Sequence, residues 1–391
     1  MDISQRVQQM AESATLAVTN RAAQMRAAGQ DVISFGAGEP DFDTPAHIKE
    51  AAFAALRDGQ TKYPKPSHGL KVAKEAVQAK LKRENGLNYA PEQIIITAGS
   101  KMGCQLACLA RLNPGDEAIV PVPYWVSYPE LIKLAGAKPI FVRGDEKNNF
   151  CITAQQMANA ITDKTRLMIF NSPSNPGGFT YTADQVRALA EVVAGKDILV
   201  VSDEMYDRLI LNDQAFVSFA ATNEQAYGQT LTVNGGSKTY AMTGWRVGYS
   251  AGPARIVKAM AKLQSQGTSG AATATQIALA AALNGDQSCV EAMRDEYKRR
   301  AKVIHTRLSE LPGMVCQQPT GGMFAFPNAT AAYKKLGVSG SLEFCERAIT
   351  DAKVAIVPGI AFGSDDHLRF SFACSLETID EGMDRLAKLL G

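Results

Sequence analysis

Lys238 lies in the run VNGGSKTYAMTGWRVGY (Val233–Tyr249), behind two glycines and a serine, with Arg246 eight residues further on. The preceding TLTVN (Thr230–Asn234) is strand-like, so Lys238 falls past the carboxyl end of a strand, where open α/β sheets bind ligands. In a partly dry site the neutral form of a lysine is favoured. A neutral amine attacks carbonyl carbons and forms Schiff bases. Gly235 and Gly236 let backbone approach a ligand closely. Ser237 offers a hydroxyl, and Arg246 a planar fork suited to phosphate oxygens. By itself the segment fits a surface lysine in a turn equally well.

Five other places hold residues of complementary chemistry. Asp203 follows the apolar run ILVVS, so a carboxylate is expected at a buried strand end, where it needs a cationic partner. A protonated pyridine nitrogen would serve, with Tyr206 three residues on able to reach a ring oxygen; a helix-capping aspartate is the plainer alternative. Gly99, Ser100 and Lys101 follow the strand-like IIIT and open a helix, a place where backbone amides bind anions. Lys101 could instead neutralise a substrate carboxylate, and an ordinary helix cap remains open. Asn175 precedes Pro176 in NSPSNPGG, which bars a helical conformation and permits a cis bond. Its amide could hold a ring oxygen or a carboxylate. Trp125 could stack on a flat ring or fill a core. Arg369, in the middle of the strand-like HLRFSFA, fits a carboxylate clamp, since arginine in a buried strand is rare unless paired; an edge strand at the surface is the alternative. A Schiff-base lysine, a pyridinium carboxylate, phosphate donors, a stacking ring and a carboxylate clamp together describe one cofactor, pyridoxal 5′-phosphate.

These residues need elements to hold them. IIIT (Ile94–Thr97), AIVP (Ala118–Pro121), PIFV (Pro139–Val142), LMIFN (Leu167–Asn171), ILVVSDE (Ile198–Glu204) and TLTVN are continuous apolar runs, as expected for a mostly parallel sheet covered on both faces. Helices are expected between them. TADQVRALAEVVAG carries a capping-box pair, Thr182 and Gln185, and a stop at Gly195, and GLKVAKEAVQAKLKRENG ends at Gly86. A long helix over Asp286–Leu311 leads into GMFAF, the helix SLEFCERAITDA, strands VAIVP and HLRFSFA and a last helix: a smaller α+β unit against which the first forty residues are expected to pack. Within the long helix, RDEYKRRAK mixes both signs and reads as a solvated face.

The bulk composition excludes several classes. A chain of 391 residues is long enough for a large domain and a smaller one. A net charge of +2 without a basic cluster argues against nucleic acid or a membrane surface as partner. Seven scattered cysteines, Cys104 and Cys108 sharing a helix face, suggest reduced and mostly buried thiols. Four histidines without metal spacing make a metal site improbable. No signal-like N-terminus and no run of eighteen apolar residues occur, so a cytoplasmic location is the expectation.

GAGEPDFDTP, KYPKPSHGL, PYWVSYPE, NSPSNPGG, SDEMYD, SKTYAMTGWRVGY and LRFSFA, in this order, resemble the motifs of the class I aminotransferases, over nearly the whole chain. With SATLAV (Ser13–Val18) the sequence is most similar to the bacterial aspartate aminotransferase subgroup, some of whose members also aminate prephenate. The resemblance implies an α/β fold of the aspartate aminotransferase type, with residues 45–290 as a large cofactor-binding domain and 1–44 plus 291–391 as a small one. It implies transamination between an L-amino acid, aspartate foremost, and a 2-oxo acid, 2-oxoglutarate foremost, with ping-pong kinetics. Lys238 would carry the cofactor; Asp203 would pair with the pyridinium nitrogen; Tyr206 and Asn175 would contact the phenolic oxygen. Gly99, Ser100, Lys101, Ser237 and Arg246 would line the phosphate end, and Trp125 would stack on the ring. Tyr63 would reach the phosphate of a neighbouring subunit, which makes a homodimer with shared sites part of the expectation. Gly38, Asn175, Trp125 and Arg369 would hold the substrate at its α-carboxylate end.

Two departures stand out. The animal-type branch has a serine three residues before the lysine, where this chain has Gly235. That branch also takes an arginine from the partner subunit for the distal carboxylate, and QSQGTSGAATATQ (Gln264–Gln276) offers none. The distal carboxylate would fall to Lys101 with Ser13 and Thr15. Aromatic or alanine aminotransferases and carbon–sulfur lyases share the fold and are alternatives. Regulators with an aminotransferase-like domain carry a helix-turn-helix segment ahead of it; GAGEPDF begins at residue 36, so none is expected.

Overall fold

A computed structural model describes residues 1–12 and 14–391. Its strands are β1 (Ile33–Ser34), β2 (Ile94–Thr97), β3 (Glu117–Val122), β4 (Lys138–Arg143), β5 (Thr165–Asn171), β6 (Leu199–Asp203), β7 (Thr230–Gly235), β8 (Gly248–Ala251), β9 (Phe324–Ala325), β10 (Val354–Ala355), β11 (Val357–Pro358) and β12 (Leu368–Ser371). Seven of them form one sheet in the order β2-β8-β7-β6-β5-β3-β4. All pairs in it are parallel except those of β8, which runs against both β2 and β7.

The six apolar runs that predict strands all lie in this sheet, and β6 and β7 are buried from end to end. Helices cover the sheet, as continuous apolar strands require. The helix Ala183–Val193 starts on the capping box: Thr182 Oγ1 accepts from Gln185 N, and Gln185 Oε1 accepts from Thr182 N at 2.9 Å. The helix Lys71–Asn85 ends on Gly86 at φ 68°.

β8 has no apolar signature because its neighbours demand small residues. A Cβ on Gly248 would lie 2.6 Å from the Ser100 backbone nitrogen, and one on Gly103 would lie 2.6 Å from Ser250 Oγ. The strand is pressed against the helix Ser100–Arg111, so GYSA replaces a β-branched run.

In the C-terminal part, the expected single strand VAIVP is two. Val354–Ala355 pairs parallel with β1, while Val357–Pro358 pairs antiparallel with β12. Buried Ile356 lies between them. β12 is the centre of a three-stranded sheet, flanked by β11 and β9, and not an edge. The helix Ala14–Ala27 packs on β10 and β11. The first residues go elsewhere: Gln5–Gln8 contacts the helix Ser127–Leu134, and Ala11 N donates to Glu130 Oε2 at 2.9 Å.

The mixed-charge face of the helix Ser288–Glu310 is not wholly solvated. Arg300 is only 7 % exposed and donates through Nη1 to both oxygens of Asp41, at 2.8 and 2.9 Å, and through Nε to Glu296. The carboxylates offset the cost of burying the guanidinium. No helix among the described residues is long and apolar enough to cross a membrane.

A second buried pair sits behind the sheet. Lys80, on the helix Lys71–Asn85, bonds to Asp207, four residues past the end of β6. Both side chains are buried, and without Asp207 the Lys80 ammonium keeps only the longer contact to Glu84 at 3.6 Å and the Asn85 amide oxygen at 2.9 Å. Asp207→Ala is expected to lower stability by about 3–5 kcal/mol, measured as a fall in the urea-unfolding free energy.

Candidate active site

The carboxyl ends of the neighbouring parallel strands β5, β6 and β7 bring site residues together. Asn171 ends β5 and pairs in register with Asp203, which ends β6 and pairs with Val233 on β7. Directly after β7, the single helical turn Gly236–Thr239 carries Ser237 and Lys238. Ser100 and Lys101 open the helix after β2, and Trp125 leads into the helix Ser127–Leu134. Arg369 reaches in from β12, and Gly36 and Gly38 from the segment after β1.

These elements enclose a pocket of about 450 Å³. Its lining brings together Thr15, Gly38, Ser100, Lys101, Trp125, Asn175, Asp203, Tyr206, Ser237, Lys238, Arg246 and Arg369. Gly99 stands just behind: a Cβ there would lie 2.4 Å from Arg246 Nη2. Tyr63 is not part of this pocket; it is 78 % exposed on the loop after the helix Ala46–Arg57. Ser13 lies outside the described residues.

Lys238 Nζ donates to the Gly38 carbonyl. Burial pushes its pKa down to about 8; Arg369 and Arg246 add to that shift, while Glu39 and Asp203 oppose it. Asp203 is buried, which pushes its carboxyl up. Donors oppose that: Tyr128 Oη reaches Asp203 Oδ2 at 2.7 Å, and Met205 N reaches Oδ1 at 3.3 Å. Cys104 Sγ lies 4.0 Å from Oδ2, and burial lifts its thiol well above the ordinary range.

Arg369 is 2 % exposed and has no carboxylate partner among the described residues. Nη1 donates to Asn175 Oδ1 at 3.1 Å, Nη2 to the Gly36 carbonyl at 2.9 Å, and Nε has no partner. Phe324 and Phe362 stack on it at 4.5 and 5.0 Å. Burial lowers even this guanidinium, to about 10. Lys101 Nζ lies 4.9 Å over the Trp125 ring, and Trp125 meets Tyr128 edge-on at 5.3 Å.

The turn around Gly99 differs in detail from expectation. The Ser100 hydroxyl donates to the Asn234 carbonyl at 2.8 Å, so this residue offers its place at a helix N-terminus rather than a free hydroxyl. Arg246 has φ 51° and donates to the Thr243 carbonyl at 2.7 Å. The peptide bond before Pro176 is cis.

Among the lining residues that escaped the sequence reading are Asn171, Tyr128, Glu39 and Thr243. Asn171 Oδ1 accepts from Asn175 N at 2.9 Å, and its Nδ2 donates to the Asp203 carbonyl. Signals existed for two of them. Tyr128 follows Trp125 at helical spacing, and Asn171 ends the run next to that of Asp203.

The model of the family described as aminotransferase class I and II matches residues 30–386. The aspartate aminotransferase of Geobacillus stearothermophilus is 44 % identical over 390 residues, covering 100 % of this chain and 99 % of the relative. The aspartate/prephenate aminotransferase of Nitrosomonas europaea is 42 % identical, covering 100 % of both. Among solved structures, the aspartate aminotransferase from Thermus thermophilus with maleate superposes with a TM-score of 0.94 at 38 % identity, covering 100 % of each chain. The chain belongs to the class I and II aminotransferases. It is an enzyme of the aspartate aminotransferase fold, and the family implies pyridoxal 5′-phosphate as cofactor.

The residues present fit that cofactor. The pocket sets a lysine with a depressed pKa near a buried carboxylate, and it keeps Cβ atoms out of the turn beside Arg246. The same crowding explains Gly235. A Cβ there would lie 2.8 Å from Gly248 Cα and 2.9 Å from Ser100 Oγ, so the serine of the animal-type branch has no room. Gly235→Ser is therefore expected to cost about 1–3 kcal/mol of stability and to loosen the cofactor; thermal unfolding and a pyridoxal phosphate titration measure both.

Proposed function

We propose that this enzyme transfers amino groups between L-aspartate and a 2-oxo acid, 2-oxoglutarate foremost, using pyridoxal 5′-phosphate. The observation that carries the reading is Arg369: a buried guanidinium with an unpartnered Nε, opening onto the pocket that holds Lys238. A buried cation without a counter-charge calls for a carboxylate that arrives with the substrate.

The other roles follow from position. Lys238 is the attachment point for the cofactor, and Asp203 is the anion for its ring nitrogen, held by Tyr128. Arg246, the turn Gly99–Lys101 and Ser237 hold the phosphate. Tyr206 and Asn175 hold the phenolic oxygen, and Trp125 covers a ring face. Arg369, with Asn175 and Gly38, would hold the α-carboxylate and so orient the substrate's Cα in the pocket that holds Lys238. Bound there, the cofactor supplies the electron sink that makes breaking the Cα–H bond possible. Once freed from the cofactor, Lys238 Nζ would take the proton from Cα as a base and give it up on the cofactor side of the C–N linkage as an acid; a pKa of about 8 suits both tasks near neutrality. Orientation by Arg369 and fixed charge at Asp203 and Arg246 supply most of the acceleration.

Lys101, with Thr15, faces the distal carboxylate of aspartate. The dicarboxylate maleate in the Thermus thermophilus relative supports an acidic substrate. Prephenate is a second amino acceptor, supported by the named activity of the Nitrosomonas europaea relative. The enzyme works as a cytoplasmic homodimer, with exposed Tyr63 reaching the phosphate in the partner's site. Residues 45–290 form the large domain, and 1–44 with 291–391 the small one.

Reduction of the yellow holoenzyme with borohydride is expected to fix the cofactor on Lys238, read by peptide mass spectrometry, and Lys238→Ala is expected to lose both the colour and transamination. A colourless parent protein with no labelled Lys238 overturns the reading. Lys101→Ser tests the substrate assignment: kcat/KM for aspartate should fall at least about tenfold more than for aromatic donors, the worth of a charge-assisted contact. Equal losses remove Lys101 from side-chain recognition.

A further inference from the structure

Glu39 and Thr243 line the pocket, yet the chemistry above uses neither. Thr243 Oγ1 donates to Glu39 Oε2 at 2.8 Å, and the Thr243 carbonyl accepts from Arg246 Nη1 at 2.7 Å. On the other side, Gly38, next to Glu39, accepts from Lys238 Nζ. Gly36, two residues earlier, accepts from Arg369 Nη2 at 2.9 Å. The Thr243–Glu39 hydrogen bond thus joins the segment that holds the amine and the guanidinium to the loop that carries Lys238 and Arg246, at the pocket end of a seam that Thr44 closes further along.

Charge points the same way. Arg369 and Arg246 face Lys238 as cations, Glu39 and Asp203 as anions. Lys101, Tyr206 and Tyr128 complete the titratable lining nearby. Asp203 is already occupied by Tyr128 and the Met205 amide, so Glu39 is the less committed anion of the two.

We propose that Glu39, held by Thr243, is a positioning residue for Lys238: it sets the Gly38 carbonyl against Nζ and serves as the counter-charge of the free amine. The proposal rests on the reading of Lys238 as the reacting amine. Glu39 matters at the stages when that amine is unattached, where it opposes the two arginines and limits how much of the amine is neutral.

The test titrates the amine in the full-length protein freed of cofactor. Trinitrobenzenesulfonate labels neutral amines, and mass spectrometry of the Lys238 peptide gives the labelling rate against pH. The parent midpoint is expected near about 8. Glu39→Gln keeps an acceptor for Thr243 but removes the charge, so the ammonium loses support and the midpoint falls. A fall of about half a pH unit raises labelling at pH 7 about threefold. Thr243→Val, which frees the carboxylate to leave for solvent, should move the midpoint the same way, and Thr243→Ser should restore it. A midpoint unchanged in Glu39→Gln, or one that rises, overturns the counter-charge role. An unchanged midpoint in Thr243→Val overturns the clasp. Borohydride labelling of the holoenzyme fails only if the functional reading fails, so the two are separable.

Discussion

Four cationic side chains, Lys101, Lys238, Arg246 and Arg369, share one pocket with two carboxylates, Asp203 and Glu39. That imbalance is the constraint on which the rest of the structure depends. A buried charge is costly unless something of opposite sign reaches it. Here the fold answers only in part. Arg369 receives two carbonyl-type oxygens and two aromatic faces but no anion, and burial pulls it down to about 10. Lys238 receives one carbonyl and falls to about 8. The remaining charge is left for phosphate and carboxylate groups of bound molecules, whose binding energy then also stabilises the folded chain.

Holding so many cations in place takes a framework beyond the sheet. The segment after β1 does most of it. Its Phe35 carbonyl accepts from Ser371 N at 2.8 Å, Gly36 from Arg369, and Gly38 from Lys238. Asp41 grips Arg300 on the helix Ser288–Glu310, and Thr44 bonds the Ala241 carbonyl at 2.6 Å and Trp245 Nε1 at 3.0 Å. Within ten residues the chain ties β12, the long helix and the Lys238–Arg246 loop to one another. The glycines, proline and acids of GAGEPDFDTP give it the turns and the anions for that work, and leave no periodic pattern to read as helix or strand.

The sequence is most legible where one physical rule acts alone. Continuous apolar runs marked six sheet strands, because burial on both faces leaves only that pattern. The capping pair Thr182 and Gln185 marked a helix start, because its two hydrogen bonds are local. Site residues at strand ends were legible for the same reason: Asp203 and Lys238 follow strands whose carboxyl ends meet. What stayed hidden depends on distant packing. β8 is recognisable only once Ser100 and Gly103 are known to press on it. The break at Ile356 exists because its two sides pair with β1 and β12, far away in sequence. Arg300 looks like any charge on a helix until Asp41 is brought to it, 259 residues away.

The run SDEMYD shows how far environment, rather than residue type, decides function. Three carboxyl groups lie within five positions, all of them buried. Successive side chains of a strand point to opposite faces, so Asp203 and Glu204 part company at the end of β6. Asp203 turns to the pocket, where Tyr128 and the Met205 amide favour its anion. Glu204 turns the other way, to Ser202 at 2.9 Å and Ser218 at 2.7 Å. Burial raises it to about 7 despite those hydroxyls, and it does not line the pocket that holds Lys238. Asp207 meets Lys80 and closes an ion pair inside the protein. Glu204 thus ties the end of β6 to Ser218, and Asp207 ties the turn after it to the helix Lys71–Asn85. Of three neighbouring acids, only Asp203 lines the pocket that holds Lys238, while Glu204 and Asp207 spend their oxygens on Ser202, Ser218 and Lys80 inside the protein.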